Sequence, residues 1–101
     1  MSKFNWIDGG SVTSVPGFRA AGVTAGFKRS GAPDFAMIAS DVPANFAGAF
    51  TSCTFAAAPV QVCRKRVLES EYLRAAVINS GNANACTGAT GLANAERTCE
   101  L

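Results

Sequence analysis

The 101 residues are 49% hydrophobic and 16% charged, with a net charge of +2. That balance excludes intrinsic disorder, which needs low hydrophobicity and high charge, and so small a net charge leaves no nucleic-acid footprint. The length allows one small domain, read as 1–101 with no internal boundary, and the charge falls below the roughly 25% of ordinary globular chains, so other protein is expected to cover part of its surface.

The first residues, Met1 to Gly10, include Lys3, Asn5 and Asp8 and lack the apolar core of a signal peptide. No apolar run is long enough to cross a membrane. A soluble, cytoplasmic protein is therefore expected, with neither a membrane nor a nucleic acid as partner. Gly9-Gly10 and Pro16-Gly17 mark turns. From Ala20 to Lys28, Val23, Ala25 and Phe27 alternate with Gly22, Thr24 and Gly26, which predicts a strand. Ser30 to Pro33 reads as a loop. Asp34 then introduces Phe35 to Ala39, an unbroken apolar run that predicts a strand covered on both faces.

Asp41 to Asn45 carries turn chemistry, and Asp34 and Asp41 both read as turn residues. Alternation of Phe46, Gly48 and Phe50 with Ala47, Ala49 and Thr51 predicts a further strand, paired with the preceding run as a hairpin. Ala58 to Cys63 reads as a strand with Pro59 at its start or on an edge. Val67 to Leu73 reads as a short helix, although the basic residues at its start oppose the helix dipole. Arg64-Lys65-Arg66, followed by Glu69 and Glu71, reads as a solvated charge run. Ala75 to Ile78 is a buried strand. A helix follows from about Ala89 to Leu101, with Leu92, Ala95 and Cys99 as its apolar stripe and Thr87 or Thr90 as its cap. Its pattern carries no stop signal, and the sequence reads as cut within a longer one.

Cys53, Cys63, Cys86 and Cys99 form no C-x-x-C pair, and the chain has no histidine. No metal site is expected, and the cysteines read as reduced and mostly buried. The segment with chemical character is the polar loop from Asn79 to Gly88, between a strand and a helix. Such a connection aims backbone N–H groups and a helix dipole at one point. Asn79, Asn82 and Asn84 add neutral amides that both donate and accept. The loop suits a carboxylate, an amide or a developing oxyanion. Asparagine and glycine equally serve positive-φ positions, so a purely structural loop fits the same residues.

Known nucleophile and phosphate motifs do not fit. Ile78 occupies the place of the first glycine in G-x-S-x-G around Ser80, and Val23 follows Gly22 where a phosphate loop needs lysine. Ser80, Thr87 and the cysteines have no histidine to activate them. No catalytic residue is assigned. The candidates for an active-site framework are Asn79, Ser80, Gly81, Asn82, Asn84, Thr87 and Gly88.

Four blocks, in order, resemble the ornithine acetyltransferase (ArgJ) family: Gly17 to Val23; Asp34 to Ile38 with Ser40 and Ala47 to Thr51; Ala57 to Val60; and Val77 to Gly88. The resemblance implies an α/β fold, a mixed-sheet layered sandwich of the ArgJ type with only its N-terminal portion present. It also implies a place in arginine biosynthesis. Family members are longer precursors that cleave themselves into an α and a β chain. A threonine at the new N-terminus of the β chain takes acetyl from N-acetylornithine and passes it to glutamate. Bifunctional members also use acetyl-CoA as a substrate, and no cofactor is expected. The implied partners are the remainder of the α chain and the β chain, in a hetero-oligomer. The nucleophilic threonine, the substrate lysine and the oxyanion Thr-Gly pair all belong to later motifs, so Thr87-Gly88 does not inherit the oxyanion role. This chain alone is expected to be inactive. The alternative reading is a stand-alone module that binds a small ligand or anion in the Asn79–Gly88 loop.

Overall fold

A computed structural model describes residues 3–101. The first two positions of the Met1–Gly10 segment lie outside the described residues. A 3-10 turn at Val12–Ser14 leads into strand β1 (Phe18–Val23), followed by β2 (Phe35–Ala44), helix α1 (Ala58–Glu69), β3 (Leu73–Asn79) and helix α2 (Gly88–Glu100). The strands form one sheet in the order β1-β2-β3. This is the expected α/β class, and the three strands described here pair antiparallel throughout.

The register fixes where the loops leave the sheet. Val23 pairs with Phe35, and Phe35 pairs in turn with Asn79. The end of β1, the start of β2 and the end of β3 therefore share one end of the sheet. The 24–34 connection and the Asn-rich loop both leave from that end.

Five expected elements differ from those observed. β1 ends at Val23 instead of continuing to Lys28, because Asp34 draws residues 25–28 into a turn. β2 runs on through Asp41 to Ala44 where a turn was expected. A register shift between Ala39 and Ala44 accommodates Pro43, which has no N–H for a ladder. The Arg74 guanidinium donates to the carbonyls of Ser40 at 3.2 Å and Asp41 at 2.8 Å, satisfying acceptors that the bulge releases.

Residues 46–51 form no strand. The segment instead lies on α1: Arg64 sits 5.9 Å from the Phe50 ring centroid and donates to the Thr51 carbonyl at 2.6 Å. Ala58 to Cys63, expected as a strand, is the first half of α1. Pro59 lies in the first turn, where a missing N–H costs nothing because that N–H has no helical acceptor. The helix therefore starts at Ala58 and not at Val67. The basic run falls in its second half, with Arg66 in the last turn, where the dipole favours cations.

The two helices pack mainly on one another and the strands on their neighbours, with little contact between sheet and helix pair. Among the described residues, the buried hydrophobic ones are Ala58 and Val62, both on α1, and the buried polar ones are Asp34 and Ser40. β2 and β3 are therefore not covered on both faces: Met37 is 45% exposed and Ile78 47%. The four cysteines are free, as expected, but all are exposed where burial was expected. No helix among the described residues is long and apolar enough to cross a membrane.

Candidate functional site

Asp34 organises the sheet end from which the Asn-rich loop departs. Its side chain is an acceptor for two backbone donors, Ala25 N–H at 2.6 Å to Oδ1 and Lys28 N–H at 2.9 Å to Oδ2. Its own N–H donates to Val23 O at 3.0 Å, and its carbonyl accepts from Ser80 N–H at 2.9 Å. The N–H donors of Ala25 and then Lys28 hold its carboxyl below the ordinary carboxylate value of 3.8, against an opposing effect of burial. A depressed folded value gives stability that is present above the unfolded value and lost as pH falls through the folded one. That window lies in acid, below 3.8. The turn role read for Asp34 holds. Asp41, on β2, instead pairs with Arg19 at 2.9 Å on the exposed surface.

Three of the candidate residues form a chain of amides. Asn82 Nδ2 donates to Asn84 Oδ1 at 2.9 Å, and Asn84 Nδ2 donates to Asn79 Oδ1 at 3.0 Å. The Asn79 Nδ2 that remains is buried and lacks a hydrogen-bond partner among the described residues. Such a donor carries a desolvation cost until an acceptor meets it. Gly81 bends the loop at φ +82°, a conformation that favours glycine. A β-carbon there would lie 2.6 Å from Lys28 Cγ and 3.4 Å from Lys28 N. Ser80 joins the group through its backbone bond to Asp34.

Thr87 and Gly88 belong to a neighbouring feature. Thr87 occupies the N-cap position of α2, but its side chain makes no capping hydrogen bond, unlike the cap expected there. It leans over Gly91, where a β-carbon would collide with its hydroxyl. Both candidates line an open cleft of about 430 Å³ with Thr54, Gln61, Cys86 and Leu92, at the starts of α1 and α2. The structure thus divides the seven candidates between an amide chain at the sheet end and the start of α2.

Sequence reasoning passed over Gln61 and Gly91, and it left Cys86 off the framework candidates although that residue lies within the Asn79–Gly88 loop. Cys86 has φ 56°, an uncommon conformation for a residue with a side chain. Its place between Asn84 and Thr87 was visible in the sequence, but its backbone angle was not. The helical reading of Leu92, Ala95 and Cys99 placed the first two on half-buried positions and Cys99 on an exposed one. Among the described residues, no three His, Cys, Asp or Glu come close enough together to hold a metal ion.

Comparison with known proteins shows the family to which the chain is similar. Residues 19–101 match the model of the ArgJ family. The arginine biosynthesis bifunctional protein ArgJ of Thermosynechococcus vestitus is 54% identical over 91 residues, which are 90% of this chain and 22% of that protein. ArgJ 1 of Nostoc sp. is 46% identical over the whole chain and 24% of its own length. The chain therefore spans about a quarter of the curated relatives it matches. The crystal structure of the Bacillus halodurans ArgJ protein superposes with a TM-score of 0.83 at 41% identity, covering 90% of this chain and 47% of that one. The ornithine acetyltransferase of Mycobacterium tuberculosis, solved with ornithine, gives 0.75 at 48% identity over 86% of this chain and 45% of its own. With most of its length matched by the family and its fold shared with these structures, the chain belongs to the ArgJ family.

Proposed function

We propose that this chain is the N-terminal part of a glutamate N-acetyltransferase that moves acetyl from N-acetylornithine to glutamate in arginine biosynthesis. The observation that carries the reading is the match to the ArgJ family over residues 19–101, with identity as high as 54% to a curated relative. The transfer has two halves. A threonine hydroxyl attacks the acetyl carbonyl of N-acetylornithine, the amide C–N bond breaks, and ornithine leaves with the proton as its free amine. The glutamate amine then attacks the acetyl-threonine ester, forming N-acetylglutamate and restoring the hydroxyl. The threonine belongs to the β chain, and acetyl-CoA serves as a second acetyl donor in a bifunctional enzyme.

In this reading residues 1–101 form one unit of the α chain. They pack against its remainder and against the β chain, and Asn79 to Gly88 is active-site framework without a proton-transfer group. The chain has no histidine, and its candidate residues are amides, hydroxyls and glycines. It is therefore inactive alone. The test is a chimera in which residues 19–101 replace the matching segment of the T. vestitus protein, assayed beside the isolated chain. The chimera is expected to form N-acetylglutamate from N-acetylornithine and glutamate, and the isolated chain to form none. Turnover by the isolated chain overturns the inactivity. A folded, cleaved but inactive chimera, together with stoichiometric binding of acetate or N-acetylornithine by the isolated chain, favours the stand-alone module.

A further inference from the structure

The Asn79–Gly88 loop rests on residues distant from it in sequence, and one side chain connects them. The Asp34 carboxylate is buried, with 3% of the residue exposed, and closes the 25–28 turn through Ala25 N–H at 2.6 Å and Lys28 N–H at 2.9 Å. The carbonyl of the same residue accepts from Ser80 N–H at 2.9 Å, at the mouth of the loop. Between these two attachments, Gly81 lies against the turn so closely that an added β-carbon would fall 2.6 Å from Lys28 Cγ and 3.4 Å from Phe27 C. Asp34 therefore holds the floor under Gly81 with its side chain and the entrance to the loop with its backbone. The amide chain begins at Asn79, one residue before that entrance.

We propose that Asp34 is a positioning residue for the Asn79–Gly88 loop, acting through the 25–28 turn on Gly81. The proposal rests on the reading of that loop as active-site framework. Loss of the carboxylate frees Lys28 N–H and Ala25 N–H, the turn shifts, and Gly81 loses its contact surface. The effect reaches the loop without any contact between Asp34 and a substrate.

The test uses the full-length chimera with Asp34→Asn, Gly81→Ala and both together, assayed well below each variant's melting temperature and normalised to folded, cleaved protein. Asp34→Asn keeps the size of the side chain but presents an NH2 to a backbone donor. Gly81→Ala strains the loop itself at φ +82° and sets its β-carbon against Lys28 of the same turn. Each single variant is expected to lower kcat/KM by roughly 10- to 100-fold, the scale of a small misplacement in an active site. The double variant is expected to lose less than the product of the two single losses, because both displace the same loop. Asp41→Asn is the control. It removes only an exposed ion pair and leaves kcat/KM unchanged.

Amide hydrogen exchange on the same proteins reads the coupling independently of activity. Asp34→Asn is expected to accelerate exchange at Ser80 through Asn84 as well as at Ala25 and Lys28. Faster exchange confined to residues 25–28, or losses of activity that multiply in the double variant, overturns the positioning role. An inactive parent chimera counts against the proposed function alone, because the exchange measurement still decides the coupling.

Discussion

Asn84 stands in the middle of the amide chain, accepting from Asn82 and donating to Asn79. The two bonds differ in their surroundings: that to Asn79 is partly buried, whereas that from Asn82 is exposed. Asn84→Ala strips the Asn79 side-chain Oδ1 of its donor in a region where Asn79 Nδ2 is already unpaired. Its expected cost is about 1–3 kcal/mol, the desolvation penalty of one buried polar group. Asn82→Ala breaks only the exposed bond, which water replaces, and should cost less. Melting temperature, precursor cleavage and kinetics of the two chimeric variants check this. A framework role lowers stability or cleavage along with activity. A direct ligand contact raises KM and leaves folding and cleavage intact. If both variants match the parent in all three measurements, the loop is neither framework nor site. The sequence made the three amides and Gly81 conspicuous, but not the pairing of the amides or the positive φ of Cys86.

Pattern and outcome diverge most instructively between residues 46 and 69. Val60, Val62 and Val67 favour a strand by propensity, and Pro59 fits either a strand edge or a helix start. Packing decides for the helix: Ala58 and Val62, four residues apart, share one helical face and are the buried pair. The alternation from Phe46 to Thr51 met the strand criterion equally well, yet Arg64 engages Phe50 and the Thr51 carbonyl from α1. Alternation shows which residues can share a face, not whether a neighbouring strand is present to pair with them. β2, β3 and α2 were legible because their apolar runs and the polar loop between the last two bounded them. Within α1, Val62→Ala removes two buried methyl groups and should reduce hydrogen-exchange protection of the helix by about 1.5 kcal/mol. Leu68 is 79% exposed, so Leu68→Ala should change protection in the 101-residue chain by less than about 0.5 kcal/mol. Equal losses from the two substitutions would show that this side of α1 is packed differently.

The low charge content of the sequence has its counterpart in the dimensions of the whole chain. Its accessible surface is 8019 Å², whereas a folded monomer of its mass should expose roughly 5,400 Å². The excess, roughly 2,600 Å², falls in the range of obligate protein interfaces. The radius of gyration is 15.8 Å, against about 13 Å for a domain of this length. Phe55, Val42 and Leu68 are 82%, 63% and 79% exposed, and the sheet and helix pair scarcely cover one another. β1 and β3 are both edge strands, with backbone groups open to further pairing. Open edges and exposed apolar side chains together drive association at accessible concentrations. The isolated chain is therefore expected to sediment as concentration-dependent assemblies heavier than its 10.4 kDa and to melt without a single cooperative transition. In the chimera the same surface is expected to be covered, and Phe55→Ser or Leu68→Ser should weaken its assembly while increasing the solubility of the isolated chain. A 10.4 kDa monomer across the accessible concentration range, with one sharp thermal transition, would mean that this open surface is satisfied by water and that no partner is needed.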